Sequence, residues 1–305
     1  MGKTKIPDKT KPKRRGVGYF TDVEGRKIYL KAYDEVMGAM PSSTAIHDIN
    51  TSWGTVRAYE WLNWENSSEP PVVLLPGHSS GAPMWQKNMK GFTKNHTVYA
   101  VDALGDAGKS TQSVPLENID AVTDWISETL DELCIKRAHV VGHSFGGGYA
   151  ANFALRHPGQ VQTLTLLEPA FALSIPPFST LFWASVASMS FLPEAWRNYG
   201  LAKISGADAS DVVSDDPIAR MVKAAATYYS LSLPTPKTLT TAELAKLDMP
   251  VYVALADHSP ITGKKAVENA NRIPNATIRV WTNTTHSLPM EVVNELETDL
   301  NAFWR

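Results

Sequence analysis

The stretch Gly142-His143-Ser144-Phe145-Gly146 is where this chain could carry out nucleophilic chemistry. An apolar, strand-like run from Arg137 to Gly142 leads into it, and Tyr149 to His157 leads away with helical spacing before Pro158-Gly159 stops the pattern. A serine between such elements sits in a sharp, strained turn. Glycine is needed at 142 and 146, where a Cβ would collide with neighbouring backbone, and the turn pushes the hydroxyl outward. At the start of the helix, the Phe145 N–H faces the place where an oxyanion would develop during attack on a carbonyl.

A serine hydroxyl is a poor nucleophile until a base takes its proton, so a histidine must lie within hydrogen-bond reach. Eight histidines compete. His286 is favoured because it follows the last strand-like run and precedes the last helix. His143 is next to Ser144 in sequence, but its side chain leaves the turn in another direction and is expected to shape the pocket. His47, His96, His139 and His157 fall in strand or surface contexts. The histidine in turn needs a carboxylate that fixes its tautomer. Asp257, at the end of the penultimate strand, is the expected acid, and Glu168, at the end of the strand after the nucleophile helix, is the alternative.

The elements that must hold these residues follow from periodicity and turn residues. Thr21 to Glu24 forms a capping-box pattern ahead of a helix that runs to Pro41. Thr44–Ile49 and Thr55–Leu62 read as an antiparallel hairpin across Ser52-Trp53-Gly54. Short apolar strands are expected at Val72–Leu75, Thr97–Val101, Arg137–Gly142, Val161–Leu167, Pro250–Asp257 and Ala276–Trp281. Helices are expected near Met84, over Leu116–Leu133, Lys264–Arg272 and Met290–Trp304. Strands alternating with helices specify an α/β fold with a mainly parallel sheet covered on both faces. From Phe171 to about Thr238 the alternation stops, and three helical pieces rich in Phe, Trp, Leu and Pro replace it. The resulting division is a basic arm over 1–20, an N-terminal helix over 21–43, a core over 44–170, a helical cap over 171–238 and a second core segment over 239–305.

Composition narrows the class. Charged residues make up 20% of the chain and the net charge is -2, which argues against general nucleic-acid binding. Positive charge gathers at the N-terminus, in Lys3, Lys5, Lys9, Lys11, Lys13, Arg14 and Arg15, with no apolar run behind it. That stretch reads as a disordered, solvated arm able to meet an anionic membrane surface, and the missing apolar run points to the cytoplasm. Cys134 is the only cysteine, so neither an internal disulfide nor a cysteine metal cluster is available. The acidic residues Asp208, Asp211, Asp215 and Asp216 lack calcium-loop spacing and read as a solvated turn. No metal or organic cofactor is expected.

With Ser144, Asp257 and His286 in that order, the chain resembles the alpha/beta-hydrolase superfamily, in its capped, serine-nucleophile branch of esterases and lipases. The resemblance runs from about Thr44 to Arg305. It is similar in particular to bacterial carboxylesterase-like proteins with an extra first helix and a Val-Asp-x-x-Gly-Asp-x-Gly-Lys-Ser segment, here Val101 to Ser110. The resemblance implies hydrolysis of a small or medium ester with an apolar part through an acyl-enzyme. It also implies an oxyanion hole from the backbone N–H groups of His78 and Phe145. Cap residues Phe171, Phe178, Phe182 and Trp183, with His143, would line the pocket. Two departures stand out: Pro76-Gly77 precedes the histidine where the superfamily usually has His-Gly, and the glycine loop after Asp102 is one residue longer than the common form. Carbon–carbon bond hydrolysis or acyl transfer by the same residues is the alternative chemistry, and a ligand receptor on this fold is the non-enzymatic one.

Overall fold

In a computed structural model, the protein is described over residues 15–66, 68–189, 192–206, 214–262 and 264–305. The chain alternates strand and helix through most of its length. Strand β1 (Tyr19–Phe20) precedes helix α1 (Val23–Gly38), followed by β2 (Ala45–Thr51), β3 (Gly54–Trp61), β4 (Val72–Leu75) and α2 (Gln86–Phe92). Next come β5 (Val98–Val101), β6 (Thr111–Gln112), α3 (Ile119–Glu132), β7 (Ala138–His143), α4 (Phe145–Arg156) and β8 (Val161–Leu167). Helices α5 (Phe178–Ser188), α6 (Glu194–Ser205) and the helix Pro217–Tyr228 lie before β9 (Tyr229–Ser230), and β10 (Val251–Ala256) and β11 (Ala276–Trp281) complete the sheet.

Among the described residues the main sheet has nine strands, in the order β11-β10-β8-β7-β4-β5-β3-β2, with β6 beside β3. From β11 to β5 every pairing is parallel, whereas β3 meets β5, β2 and β6 antiparallel. Strands β4, β7 and β10 are buried along their whole length, as continuous apolar runs require when helices cover both faces. Their alternate residues feed two cores. Val73, Leu75, Val251, Val253 and Leu255 pack with Trp125 and Phe153, whereas Val72, Leu74, Tyr252 and Ala254 pack with Trp85, Phe92 and Trp304. Since successive strand side chains point to opposite faces, these cores lie on the two sides of the sheet.

Strand β4 lies between β5, which follows it in the chain, and β7, which is formed later. Connections leaving β4 and β7 therefore diverge and open a crevice at the carboxyl ends of the strands, the place where open α/β sheets bind ligands. The loop after β4 and Ser144 after β7 both stand there, since Leu75 pairs with Gly142.

Several sequence expectations shift. Helix α1 is capped by Asp22, whose carboxylate accepts from the Gly25 N–H at 2.6 Å, and not by Thr21. Residues 15–20, read as the end of an arm, are part of the fold. Val17 and Phe20 are buried, and Tyr19–Phe20 pairs antiparallel with Tyr229–Ser230, a strand that the helical reading of 171–238 did not contain. Most of the basic arm, residues 1–14, lies outside the described residues, as do Asp208 and Asp211. The last helix is broken into Leu288–Glu291 and Val293–Phe303, with Pro289 in the first turn, where its missing N–H costs nothing.

Candidate active site

Ser144 is the junction between β7 and α4, with φ 54° and ψ -121°, a conformation that L residues rarely adopt. The turn is enforced by packing. A Cβ on Gly146 would stand 2.3 Å from the Leu75 carbonyl oxygen and 2.4 Å from that of Pro76, and one on Gly142 would stand 2.2 Å from the Gly146 oxygen. Backbone cannot yield at those distances, so glycine is required at both places. The elbow is further tied to β8 and its following loop, with the Ser144 N–H donating to Leu167 O (3.1 Å) and the Ser144 carbonyl accepting from Ala170 N (2.9 Å).

His286 reaches the serine from the loop after β11: its Nε2 is 2.9 Å from Ser144 Oγ. Its Nδ1 is 3.1 Å from Oε2 of Glu168, whose side chain is fully buried. The other carboxylate oxygen of Glu168 accepts from the Ala256 N–H (2.6 Å) and the Thr262 hydroxyl (2.8 Å). A carboxylate at Nδ1 places the proton on that nitrogen and leaves Nε2 free to accept from the serine hydroxyl.

The expected acid, Asp257, is corrected by this geometry. Its carboxylate is exposed; it accepts from the Thr284 N–H at 3.2 Å and lies 3.6 Å from the His258 ring. The reason is strand order. Glu168 follows β8, the immediate neighbour of β7, whereas β10 is one strand further from Ser144. Asp257 instead braces the loop that carries His286, two residues before the histidine.

His143 is buried beneath His286, its ring centroid 4.9 Å from that of His286. Its Nε2 donates to the His286 carbonyl oxygen at 2.9 Å. Burial, reinforced by the nearby His286, pushes the His143 pKa down to about 3, so the ring is neutral and acts as a fixed donor. From the other side, the His286 N–H donates to Ser205 O at the end of α6 (3.2 Å). The histidine loop is thus held between the elbow and the helical segment.

The loop after β4 lies against the elbow, since a Cβ on Gly77 would stand 3.3 Å from Ser144 Cβ. The His78 ring stacks on that of Phe145 (5.1 Å), and Phe171 meets Phe145 edge-on (5.6 Å). These three rings form an aromatic cluster joined to the elbow through Phe145. The remaining residues expected to wall the pocket are placed differently. Phe178 and Phe182 are 83% and 51% exposed, and Trp183 packs on Phe182 and Tyr199. Helices α5 and α6 turn small residues inward, among them Ala187, Gly200 and Ala202, so the large rings point outward.

Sequence reasoning missed Thr262 and Thr284, polar residues on irregular loops with no spacing signal. It also gave no role to Asp102 and Asp106, although both stand in the Val101–Ser110 segment. Among the described residues no group of three or more His, Cys, Asp or Glu could hold a metal ion, and no helix is long and apolar enough to cross a membrane. A surface cavity of about 690 Å³ lies along α1, against Tyr19, Arg26, Lys109 and Tyr229, and none of Ser144, Glu168 or His286 lines it.

A serine in a strand-turn-helix elbow, a histidine after the last strand within hydrogen-bond reach of it and a sheet of this order define a class. The family model of the alpha/beta hydrolase family matches residues 72–295, and the chain belongs to that family. Among curated relatives it is similar to carboxylesterase YbfK of Bacillus subtilis (strain 168), with 25% identity over 292 residues covering 89% of this chain and 92% of that protein. The uncharacterized carboxylesterase nap of the same organism is 31% identical over 146 residues, 47% of this chain and 46% of that protein. In fold it matches the crystal structure of naproxen esterase (carboxylesterase NP) from Bacillus subtilis, with a TM-score of 0.84 at 22% identity, over 93% of this chain and 99% of that one. Carboxylesterase CesB (YbfK) from Bacillus subtilis gives 0.83 at 22% identity, over 92% and 98%.

Proposed function

We propose that the protein hydrolyses carboxylic esters of small or medium size with an apolar part, through an acyl-enzyme on Ser144. The observation that carries this reading is the continuous relay from Ser144 Oγ to His286 Nε2 and from His286 Nδ1 to Glu168 Oε2. In the first step Ser144 Oγ bonds to the ester carbonyl carbon while its proton passes to His286 Nε2. The negative charge that forms on the carbonyl oxygen is met by the backbone N–H groups of Phe145 and His78. Collapse of the adduct breaks the bond to the alcohol oxygen, which leaves with the proton from His286. Water then attacks the acyl carbon, giving one proton to His286 Nε2; collapse breaks the bond to Ser144 Oγ, which takes that proton back as the acid leaves. Glu168 keeps the imidazole in the required tautomer and stabilises it when charged.

The Phe145 and Phe171 rings support an apolar acyl or alcohol group. Residues 171–238 act as a cap in this reading, with Ser205 O holding the histidine loop from above. A partner beyond the small ester is proposed only for the basic stretch Lys3–Arg15, as contact with an anionic membrane surface.

The test is turnover of a p-nitrophenyl ester panel graded in acyl length, together with fluorophosphonate labelling. The reading expects hydrolysis and a label on Ser144, both lost in Ser144→Ala. Labelling without ester turnover would move the chemistry to carbon–carbon hydrolysis or acyl transfer. Absence of both would leave a binding protein.

A further inference from the structure

The loop after β4 is tied down by two buried carboxylates that the relay does not use. Asp102, fully buried, accepts from the Ala82 N–H (2.8 Å), the Lys109 N–H (2.7 Å) and the Tyr33 hydroxyl (2.9 Å). Asp106, 4% exposed, accepts from the Ser79 N–H (2.8 Å) with one oxygen and from the Ala107 N–H (2.6 Å) with the other. Ser79 has φ 63°, which a residue other than glycine or asparagine rarely holds without an external tie. Asp106 supplies that tie one residue beyond His78. Burial raises the Asp106 carboxyl above the ordinary carboxylate range, and the adjacent His78 imidazole and the two amides pull it back.

We infer that Asp106 is a positioning residue of the oxyanion site: by holding the Ser79 N–H it fixes the left-handed turn that orients the His78 backbone N–H beside Ser144. The inference rests on the ester-hydrolase reading and adds to it a group that touches neither substrate nor the relay. Asp102 holds the far end of the same loop, at Ala82, and is tied mainly to α1 and to its own loop. Its loss belongs to stability. The loss of Asp106 should instead appear in the chemical step, because an oxyanion donor matters more to the tetrahedral state than to bound ester.

Asp106→Leu removes both acceptors while keeping the branched shape at a larger volume, and Asp106→Asn, whose amide keeps the size and can present oxygen to only one of the two N–H groups, is the milder variant should the first fail to fold. Ester kinetics and the inhibition constant of a trifluoromethyl ketone, which forms a tetrahedral adduct on a catalytic serine, are measured on whichever variants fold. We expect kcat to fall about 30-fold, short of the roughly 10²–10³-fold loss of a whole donor, with KM within about twofold. Ketone affinity should fall in step with kcat/KM. Adding Ser79→Gly, which removes the strain that drives the turn to relax, should restore part of kcat in the same background. A folded variant with unchanged kcat, a loss confined to KM, or unaltered ketone affinity overturns the inference alone. Wild-type protein that neither turns over ester nor labels at Ser144 overturns the ester-hydrolase reading and the inference with it.

Discussion

Two neighbouring strand ends, after β8 and after β10, each carry a carboxylate, and their surroundings differ sharply. Glu168 is sealed from solvent and accepts three hydrogen bonds, one of them from His286. Asp257 is exposed, accepts from the Thr284 backbone and faces His258. Only the first can both orient the imidazole and stabilise it when charged, since that interaction weakens steeply in water. The second braces the loop on which the imidazole is carried. Chain order alone cannot distinguish the two, because both residues precede His286 and follow Ser144; the place of β8 between β10 and β7 in the sheet decides.

The scale for testing this contrast is set by the nucleophile. Ser144→Ala should lower kcat by about 10⁶-fold, as expected when one member of a unit acting together is removed, with the melting temperature little changed. His286→Ala should fall by a similar factor. Residual ester turnover near wild type in either variant would detach the relay from the activity.

Rigidity of the buried side can be broken directly. Gly146→Ala drives a methyl group into the Leu75 and Pro76 carbonyl oxygens, so it should displace the elbow, lower the denaturation midpoint and abolish most activity. Circular dichroism with denaturant would measure the first effect. A variant as stable and active as wild type would mean the elbow is looser than its packing requires.

Phe171, packed on Phe145, and the exposed rings of α5 give a smaller contrast. Phe171→Ala removes a ring that packs on Phe145 beside the serine and should raise KM about tenfold for esters with a bulky acyl group. Phe182→Ala, on an exposed ring, should leave KM within about twofold. A chain-length profile across the graded ester panel measures both, and an equal response would place the outer rings in the binding pocket after all.

The smallest effect concerns acid. Burial pushes His139 down to about 4 and His143 to about 3, both below the roughly 6.5 of an unfolded histidine. The unfolded chain therefore binds more protons in that window, so the stabilisation is complete above about pH 6.5 and is lost as pH falls toward 4 and then 3. His139→Asn should show a shallower decline in urea midpoint between pH 6.5 and 4 than the wild type. An identical decline would assign the acid sensitivity to other groups.

How far the sequence reached follows the range of the forces involved. The elbow was legible because glycine at 142 and 146 answers a local steric demand, and the β2–β3 hairpin because its register is set by a short turn. His286 was legible from its place after the last strand. The acid was not, because its choice depends on β8 lying next to β7. Nor was the pairing of Tyr19–Phe20 with Tyr229–Ser230, two residues from each end of a long separation with no period to read. The outward turn of Phe178 and Phe182 was equally hidden, since α5 and α6 bury small residues where an apolar count favours large ones.

Paired kinetics of Glu168→Gln and Asp257→Asn decide which carboxylate serves His286. Glu168→Gln keeps the shape but leaves His286 without the charge that fixes its tautomer, and kcat should fall about 10⁴-fold. Asp257→Asn should keep kcat within about tenfold, because the Thr284 N–H can still find an amide oxygen. Equal losses, or a severe loss confined to Asp257→Asn, would contradict the account.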